Sequence, residues 1–478
     1  MARSWALSGT LPAHDPSSHA RQRSLQLVMI QLDIEVPVMK SRLAAAAPWW
    51  RPSNGGLLAI RGGRPLVGTY PISGAKNAVL PLMVSALLTP HLVTLRNVPA
   101  NLDVAVLAAL LQRLGCGLHW STRGGDLALT LSADRVHPAG IDADLVARMR
   151  ASVLLLGALL ARCGEARLPM PGGDSIGLRA IDFHIAGLRA MGATVTQEGG
   201  LISATAPAGL RGADILLPQP SVGATENLLL AAVLANGTTT IRNAAREPEI
   251  ADLATCLVAM GARITGLGTH RLTVTGGTAL AGAVHHVMPD RIELGTLACA
   301  AAMTDGELRL PHGRLDLLGA AADSFAGAGI DLRETDDGLV ARRAAAGLRG
   351  IDITTQPFPG FATDLQAPTM ALLTVAAGAS AISESIFEQR FRHVDELRKM
   401  GADIAVHGRT ARVRGVDRLR GAAITCTDVR AAAALVLGGL AAAGETVLDG
   451  LDHLDRGYDR MTEKLAACGA AVVRSDRP

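Results

Sequence analysis

Four cationic side chains stand in short segments that concentrate charge where a protein core does not need it. Lys76 lies in residues 72–78, Ile-Ser-Gly-Ala-Lys-Asn-Ala, at the start of an apolar run. If that run is a helix, its N-terminus adds partial positive charge and free N–H groups for an anion. Arg390, Arg430 and Arg456 stand in later segments, and arginine grips carboxylate and phosphate with paired hydrogen bonds. The set predicts a small, multiply charged anion as ligand, although Lys76 alone is also typical of a solvated surface.

Two aspartates are candidates for proton transfer. Asp174 stands in the glycine-rich residues 171–179, five residues before Arg179. Glycine-rich turns let the backbone approach a ligand closely, so Asp174 is either an acid–base group or a residue that stabilises the turn. Asp364 stands in the apolar residues 361–367. Burial there would raise the pKa of Asp364 and make it a usable base.

A third kind of segment carries hydroxyl and backbone donors. Residues 221–225, Ser-Val-Gly-Ala-Thr, precede a predicted helix, where they either bind a phosphate or cap the helix. The sequence contains no P-loop, no GxSxG, no HExxH and no Cys/His cluster with metal-ligand spacing. We therefore expect no metal and no organic cofactor.

Composition limits the class of protein and its partners. The net charge of +3 and the 3% of aromatic residues argue against nucleic-acid binding. The longest apolar run, residues 431–444, is shorter than the about 18–20 residues that a bilayer requires. Six widely spaced cysteines are typical of small buried residues in a reducing compartment, which predicts a cytoplasmic protein without a membrane partner. Residues 1–54 have no clear period and no signal-peptide pattern, which predicts a disordered extension or a start codon placed too early.

The elements that position these residues are predicted by an internal repeat. A helical pattern that ends in glycine and continues into a short apolar strand recurs six times, with glycines about 70 residues apart. Such a glycine ends a helix in the left-handed conformation. The six glycines are Gly115, Gly192, Gly261, Gly329, Gly401 and Gly469. The predicted fold is α/β, with two similar domains of three repeat units each.

Taken together, five segments resemble the UDP-N-acetylglucosamine 1-carboxyvinyltransferase family, and the resemblance covers about residues 57–473. The segments that carry the resemblance are residues 72–77, residues 243–249 (Asn-Ala-Ala-Arg-Glu-Pro-Glu), residues 289–293 (Pro-Asp-Arg-Ile-Glu), residues 363–367 (Thr-Asp-Leu-Gln-Ala) and residues 455–458 (Asp-Arg-Gly-Tyr). The family fold is an inverse α/β barrel of two domains, each of three βαβαββ units, with the site between them. The resemblance implies one domain of residues 76–288 and another of residues 55–75 plus 289–478.

The resemblance also implies a reaction. Enolpyruvyl is transferred from phosphoenolpyruvate to the 3-hydroxyl of UDP-N-acetylglucosamine by addition and elimination, with release of phosphate, as the first committed step of peptidoglycan synthesis. The residues implied for catalysis are Lys76, Asp174 and Asp364, with Asp364 taking the proton from the sugar hydroxyl. Those implied for phosphoenolpyruvate are Lys76, Arg179, Arg390, Arg430 and Arg456. Those implied for the UDP-sugar are Asn77, Arg150, Asp182, His184, Ser221, Val222, Gly223, Asp364 and Ile386. The enzyme is expected to be a monomer or a weak homo-oligomer.

The sequence departs from the family pattern at Asp174, where many members have cysteine. Since the epoxide fosfomycin alkylates that cysteine, the resemblance implies fosfomycin resistance, with Asp174 as general acid or as an aid to product release. Gln219 and Ala180 replace a usual lysine and proline, which leaves the nucleotide acceptor open. The alternatives are an enolpyruvyl transferase for another uridine nucleotide in secondary metabolism and an inactive nucleotide-binding relative. A shikimate-phosphate enzyme would need Ser-Lys-Ser in place of Ala-Lys-Asn at residues 75–77.

Overall fold

A computed structural model describes residues 41–50, 56–139 and 141–475. Its strands are, in chain order, β1 (Leu57–Arg61), β2 (Val67–Thr69), β3 (Val93–Arg96), β4 (Gly117–Arg123), β5 (Asp126–Ser132), β6 (Glu165–Pro169), β7 (Thr194–Glu198), β8 (Leu201–Thr205), β9 (Asp214–Leu216), β10 (Thr238–Arg242), β11 (Arg263–Thr265), β12 (Arg271–Thr275), β13 (Ala283–His286), β14 (Glu307–Pro311), β15 (Ile330–Thr335), β16 (Gly338–Arg343), β17 (Ile353–Thr354), β18 (Ala379–Ser383), β19 (Asp403–His407), β20 (Thr410–Arg414), β21 (Ala423–Thr425), β22 (Glu445–Asp449) and β23 (Ala471–Ser475). Its helices are α1 (residues 41–46), α2 (Lys76–Ser85), α3 (Leu102–Arg113), α4 (Ala143–Arg148), α5 (Leu154–Cys163), α6 (Asp182–Ala190), α7 (Val222–Ala232), α8 (Pro248–Ala259), α9 (Arg291–Met303), α10 (Ala320–Ala328), α11 (Gln366–Leu373), α12 (His393–Lys399), α13 (Val429–Ala441), α14 (Asp452–Gly457) and α15 (Met461–Ala467).

The described strands form six small sheets, one for each predicted repeat unit. Their strand orders are β13-β3-β5-β4, β6-β8-β7, β11-β12-β10-β9, β15-β16-β14-β2, β17-β18-β20-β19 and β21-β22-β1-β23. Parallel and antiparallel pairing are mixed, since β10 runs parallel to β9 and antiparallel to β12. The first and last strands are neighbours, with Leu57 paired to Ser475. The predicted α/β fold class is confirmed.

The repeat glycines end their helices as the sequence predicts. All six have positive φ, between +89° at Gly469 and +102° at Gly261. A residue with a Cβ is strained in this left-handed region, whereas glycine is not. Each glycine therefore turns the chain from a helix back toward a strand.

In each half of the chain some helices are almost wholly buried. Every residue of α9 is buried, and α9 packs against α11 and α13, as expected for a helix that is apolar on all sides. In the other half of the chain, α5 packs against α2 and α7. The strands alternate instead, as in β6, where Ala166 and Leu168 are buried between exposed residues. Within the described residues, no helix is both long and apolar enough to cross a membrane.

The buried apolar side chains form two clusters. One draws on residues 43–46 and 75–287, and the other on residues 58–72 and 292–468. After residue 58 the chain passes between them twice, near residue 74 and near residue 289, and these two passages are bonded side by side. Ala75 N–H donates to the carbonyl of Met288 at 2.7 Å, and Asp290 N–H donates to that of Ser73 at 2.8 Å. The domain bounds implied by the resemblance stay a prediction.

Residues 41–50 pack against the first of these clusters. Leu43 and Ala46 are 2% and 1% exposed. The indole Nε1 of Trp120 donates to the carbonyl of Ala46 at 2.7 Å. Trp49 meets Trp120 edge to face, with ring centroids 5.4 Å apart. These residues therefore act as a strap across the surface of the fold.

The strap differs from the disordered extension predicted for residues 1–54. Residues 1–40 and 51–54 lie outside the described part of the chain, but residues 41–50 are helical and packed. The run of four alanines at residues 44–47 has high helix propensity. The helix is too short to show a hydrophobic period in the sequence. Nothing in the sequence around Trp120 indicates that it packs against this helix.

Deleting residues 1–50 should lower the free energy of unfolding by about 2–4 kcal/mol compared with deleting residues 1–40, because Leu43 and Trp49 lose their buried contacts. The longer deletion also removes the ion pair between Arg42 and Asp142, whose atoms are 2.6 Å apart. Urea unfolding of the two truncated proteins measures the difference. Equal midpoints would show that the strap adds nothing to the fold.

Candidate active site

Asp364 lies in the short turn that leads into α11, and two arginines bind its carboxylate. Arg390 Nη2 donates to Oδ1 at 2.6 Å, and Arg430 Nη2 donates to Oδ2 at 2.7 Å. Asn77, in the first turn of α2, donates from Nδ2 to the same Oδ2 at 3.3 Å. Asp364 thus joins side chains from three segments that the sequence singles out separately.

The pKa of Asp364 differs from the one expected from the sequence. Burial raises the pKa of Asp364, but the charges of Arg430 and Arg390 and their hydrogen bonds outweigh burial and hold the pKa well below its usual range. The prediction of a raised pKa is therefore wrong, because it left out the two guanidinium groups. Arg390 Nε is itself buried without a hydrogen-bond partner in the described part of the chain, and such a donor suits an anion that brings acceptor oxygens.

Asp103, in the first turn of α3, holds two cations that come from opposite halves of the chain. Its Oδ2 accepts from Lys76 Nζ at 2.8 Å, and its Oδ1 accepts from Arg456 Nε at 2.8 Å. The Asp103 side chain is only 3% exposed. Burial raises its pKa, but Lys76 and Arg456 outweigh burial, so the pKa lies below its usual value. Asp103 is therefore ionised and fixes the positions of Lys76 and Arg456.

Asp103 is not among the residues predicted from the sequence, although a signal was present. It is the one charged residue in the apolar run of residues 102–111, Leu-Asp-Val-Ala-Val-Leu-Ala-Ala-Leu-Leu. A carboxylate that is buried with such a helix must find a cationic partner. That run does not show which cations these are, because Lys76 lies 27 residues before Asp103 and Arg456 lies 353 residues after it.

Asp174 lies in the loop between β6 and α6 and reaches the same arginine. Arg456 Nη1 donates to its Oδ1 at 2.5 Å, and the ring Nδ1 of His453 lies 3.9 Å from that oxygen. At Gly172 a Cβ atom would stand 1.6 Å from the carbonyl oxygen of Ala147, so only glycine fits there. The close approach of the backbone at this point sets the course of the loop that carries Asp174.

Arg179 lies close enough to both Asp174 and Asp364 for their charges to act on it. Burial lowers its pKa, the charge of Asp174 raises it, and that of Arg390 lowers it further. Arg150 lies next to Arg179, and burial together with the Arg179 charge lowers the pKa of Arg150 to about 10. Its Nη1 donates to the carbonyl of Pro171 at 3.4 Å. Cations that depress each other's pKa in this way favour a bound anion.

His184 and Gly223, both predicted to bind the nucleotide, lie together. His184 Nδ1 is 3.1 Å from Nδ2 of Asn227, and a Cβ atom at Gly223 would be 3.4 Å from the His184 ring. Burial and the charge of Arg150 lower the pKa of His184 to about 3. The imidazole is therefore neutral near pH 7, and its Nδ1 can accept from the Asn227 amide.

Three further residues that the resemblance implies for the UDP-sugar make few contacts that bear on binding. Ser221 Oγ accepts from the N–H of Ala224 at 3.4 Å, so it caps α7, which is one of the two interpretations left open by the sequence. Val222 follows as the first residue of α7 and is half-buried. Asp182 is the first residue of α6, and its side chain is exposed.

Ile386 is tied to the Asp364 region through Glu384, a buried carboxylate that the sequence did not single out. Glu384 Oε1 accepts from the N–H of Ile386 at 2.9 Å, and its Oε2 accepts from Thr363 Oγ1 at 2.9 Å. The backbone at Ile386 and the turn at Asp364 are therefore fixed relative to each other.

Lys76, Asp174 and Asp364 belong to one cluster at the junction of the two apolar clusters. Asn77, the neighbour of Lys76 in the sequence, donates to Asp364. Asp103 and Arg456 link Lys76 to Asp174. The cluster contains five cations, namely Lys76, Arg179, Arg390, Arg430 and Arg456. Throughout residues 41–50, 56–139 and 141–475, no group of three or more His, Cys, Asp or Glu side chains could hold a metal ion. The arrangement can bind a compact polyanion next to an ionised carboxylate.

Comparison with known proteins points to one family. The family model of EPSP synthase (3-phosphoshikimate 1-carboxyvinyltransferase) matches residues 60–465. A UDP-N-acetylglucosamine 1-carboxyvinyltransferase of Rhodospirillum centenum is 54% identical over 424 residues, covering 87% of this chain and 98% of the relative. Another of the same name, from Granulibacter bethesdensis, is 53% identical over 418 residues, covering 87% of this chain and 99% of its own.

Solved structures share the fold. The enolpyruvyl transferase NikO from Streptomyces tendae superimposes with a TM-score of 0.78 at 28% identity, covering 89% of this chain and 100% of its own. An EPSP synthase from Acinetobacter baumannii gives a TM-score of 0.68 at 19% identity, covering 88% of this chain and 100% of its own. At that identity the second likeness shows the fold alone.

Proposed function

We propose a reaction for this chain, which belongs to the UDP-N-acetylglucosamine 1-carboxyvinyltransferase family. It transfers enolpyruvyl from phosphoenolpyruvate to the 3-hydroxyl of UDP-N-acetylglucosamine and releases phosphate. This is the first committed step of peptidoglycan synthesis. The observation that supports it most directly is the cluster in which Asp364, Arg390 and Arg430 stand next to Asp103, Lys76 and Arg456. A compact ligand with a carboxylate and a phosphate suits that charge.

Each group of residues has its own part in binding. Phosphoenolpyruvate is held by cations that neutralise its carboxylate and phosphate, and the acetamido sugar by the Asn77 amide, Asp364 and the backbone at Ile386. The nucleotide binds along the neutral His184, Arg150 and the start of α7. The residues that hold phosphoenolpyruvate are Lys76, Arg179, Arg390, Arg430 and Arg456.

Asp364 takes the proton as the reaction begins. The sugar oxygen bonds to C2 of phosphoenolpyruvate while its proton passes to the carboxylate, and C3 gains a proton, which gives a tetrahedral ketal. The C2–O bond to phosphate then breaks, and C3 loses a proton to restore the vinyl group. When Arg390 and Arg430 turn toward the bound anion, less positive charge holds down the pKa of Asp364, so Asp364 becomes the stronger base.

Asp174 acts on the phosphoenolpyruvate side of the site. Its contact with Arg456 places it beside a cation that binds phosphoenolpyruvate in this proposal. Asp174 either delivers the C3 proton or helps phosphate and product leave. The cations around it stabilise the phosphate as charge develops on the leaving oxygen.

The test is turnover of the two substrates. Protein incubated with phosphoenolpyruvate and UDP-N-acetylglucosamine should release inorganic phosphate in step with loss of phosphoenolpyruvate. UMP or shikimate 3-phosphate in place of the UDP-sugar should give none. Release with either substitute and not with the UDP-sugar would contradict the proposed acceptor.

Fosfomycin should bind this enzyme weakly and reversibly, because the loop that carries Asp174 contains no cysteine. A thiolate is a strong nucleophile toward an epoxide, and a carboxylate is a much poorer one. Asp174→Cys should introduce time-dependent inactivation while keeping turnover. Residual activity is measured against preincubation time for both proteins. Time-dependent loss in the native enzyme would contradict the prediction.

A further inference from the structure

The loop that carries Asp174 is held against the segment after β18 by contacts that the proposed chemistry leaves unused. The N–H of Leu178 donates to Oε2 of Glu388 at 3.2 Å. The N–H of Gln389 donates to the carbonyl of Ile176 at 3.0 Å. The loop comes from one half of the chain and the segment from the other, so these bonds join the two halves over the site.

The fit at Gly177 shows how closely the Glu388 carboxylate approaches this loop. A Cβ atom at Gly177 would stand 2.2 Å from Glu388 Oε2 and 3.0 Å from the Glu388 backbone nitrogen. Gly177 also has a φ of +139°, which side-chain-bearing residues rarely adopt. The carboxylate therefore lies directly against the loop backbone, in a space that only glycine leaves open.

A second side chain supports the same contact. Arg392 Nη1 donates to the carbonyl of Ser175 at 3.3 Å, and the Arg179 guanidinium lies 5.8 Å from the ring centroid of Phe387. A carboxylate that accepts from a backbone N–H makes a stronger bond than a neutral acceptor does. Among these contacts, Glu388 is thus the one that a single side-chain change would weaken most.

We propose that Glu388 is a positioning residue that holds the Asp174 loop in the arrangement in which Asp174 meets Arg456. Glu388 does not touch the reacting atoms in this account and acts only through Leu178 and Gly177. Its side chain is exposed, so replacing it should leave the stability of the fold almost unchanged. The kinetic part of this proposal rests on the proposed function, whereas the position of the loop does not.

Glu388→Ala should raise KM for phosphoenolpyruvate by about fivefold to tenfold with kcat changed less than about twofold, because saturating substrate still draws the loop into place. Glu388→Gln keeps an acceptor oxygen and should restore most of the native KM. Glu334→Ala, an exposed glutamate on β15, is the matched control and should behave as native. Equal KM in Glu388→Ala and native enzyme would overturn the proposal, as would a glutamine variant as impaired as the alanine variant.

A second measurement needs no activity. Trypsin cleaves after arginine, so the peptide that ends at Arg179 reports how often the loop leaves its contacts. Mass spectrometry of a digestion time course should show that peptide forming several times faster in Glu388→Ala than in the native protein, the glutamine variant or the Glu334→Ala control. Equal rates would overturn the proposal. If the native protein does not turn over the two substrates, the proposed function fails, while the digestion still decides the role of Glu388.

Discussion

Asp364→Ala is expected to lower the turnover number by about 10²–10⁴-fold, which is the usual contribution of a positioned general base. The UDP-sugar should still bind measurably, because Asn77, Arg150 and His184 remain. The change also leaves Arg390 and Arg430 buried without their carboxylate, but phosphoenolpyruvate brings negative charge to the same guanidinium groups. The loss should therefore fall mainly on kcat. Phosphate release under saturating substrates and an equilibrium titration with the UDP-sugar measure the two quantities.

The variant Asp364→Asn tests whether Asp364 takes the sugar proton or only orients Arg390 and Arg430. The amide oxygen can still accept a hydrogen bond from one of the arginines, but the amide cannot take the sugar proton. We expect the asparagine variant to be nearly as inactive as the alanine variant. Near-native turnover in either protein would rule out Asp364 as the base. An active asparagine variant beside an inactive alanine variant would show that Asp364 only orients its arginines.

Asp103→Ala should lower the free energy of unfolding by about 3–5 kcal/mol, because Lys76 loses its carboxylate partner and Arg456 keeps only Asp174. It should also lower kcat/KM for phosphoenolpyruvate by about 10²-fold, the usual cost of misplacing a catalytic group by about 1 Å. The reason is that Asp103 is bonded to Lys76 and Arg456 at once. Urea unfolding and steady-state kinetics on the same preparation measure both effects.

Asp323→Ala is the matched control for Asp103→Ala. Asp323 is also an aspartate in the first turn of a helix, but its side chain is exposed, so its removal should cost below about 1 kcal/mol. The pKa of Asp103 is lowered in the folded protein. Its stabilising contribution is therefore complete above its unfolded pKa of about 3.9 and is lost as the pH falls through the lower folded value. A stability difference between native and Asp103→Ala that grows in acid would contradict this account.

The parts of the fold that depend on local sequence were predictable. A helix that ends in glycine and continues into a strand needs only a short stretch of chain, so the six junctions match the prediction. The short helix of residues 41–46 was missed. Its stability depends on Trp120, which lies far along the chain.

The sequence predicted which residues form the site better than it predicted how their charges interact. Asp364, Arg390 and Arg430 each stand in a recognisable segment, but no single segment shows that the two arginines bind the aspartate and lower its pKa. Glu388 was likewise visible only as part of a segment around Arg390. Its contact with Leu178 spans 210 residues of sequence, and such contacts become apparent only once the two halves are packed.

The pairing of the first strand with the last makes the chain nearly circular. Since Leu57 lies opposite Ser475, a short linker could join the ends of the fold, and new termini could be opened between Gly74 and Ala75. The half that is now split into residues 57–74 and 289–475 would then be one continuous segment, preceded by residues 75–288. Each half could in that way be made as a separate polypeptide, and mixing the two would report the strength of their association as a dissociation constant.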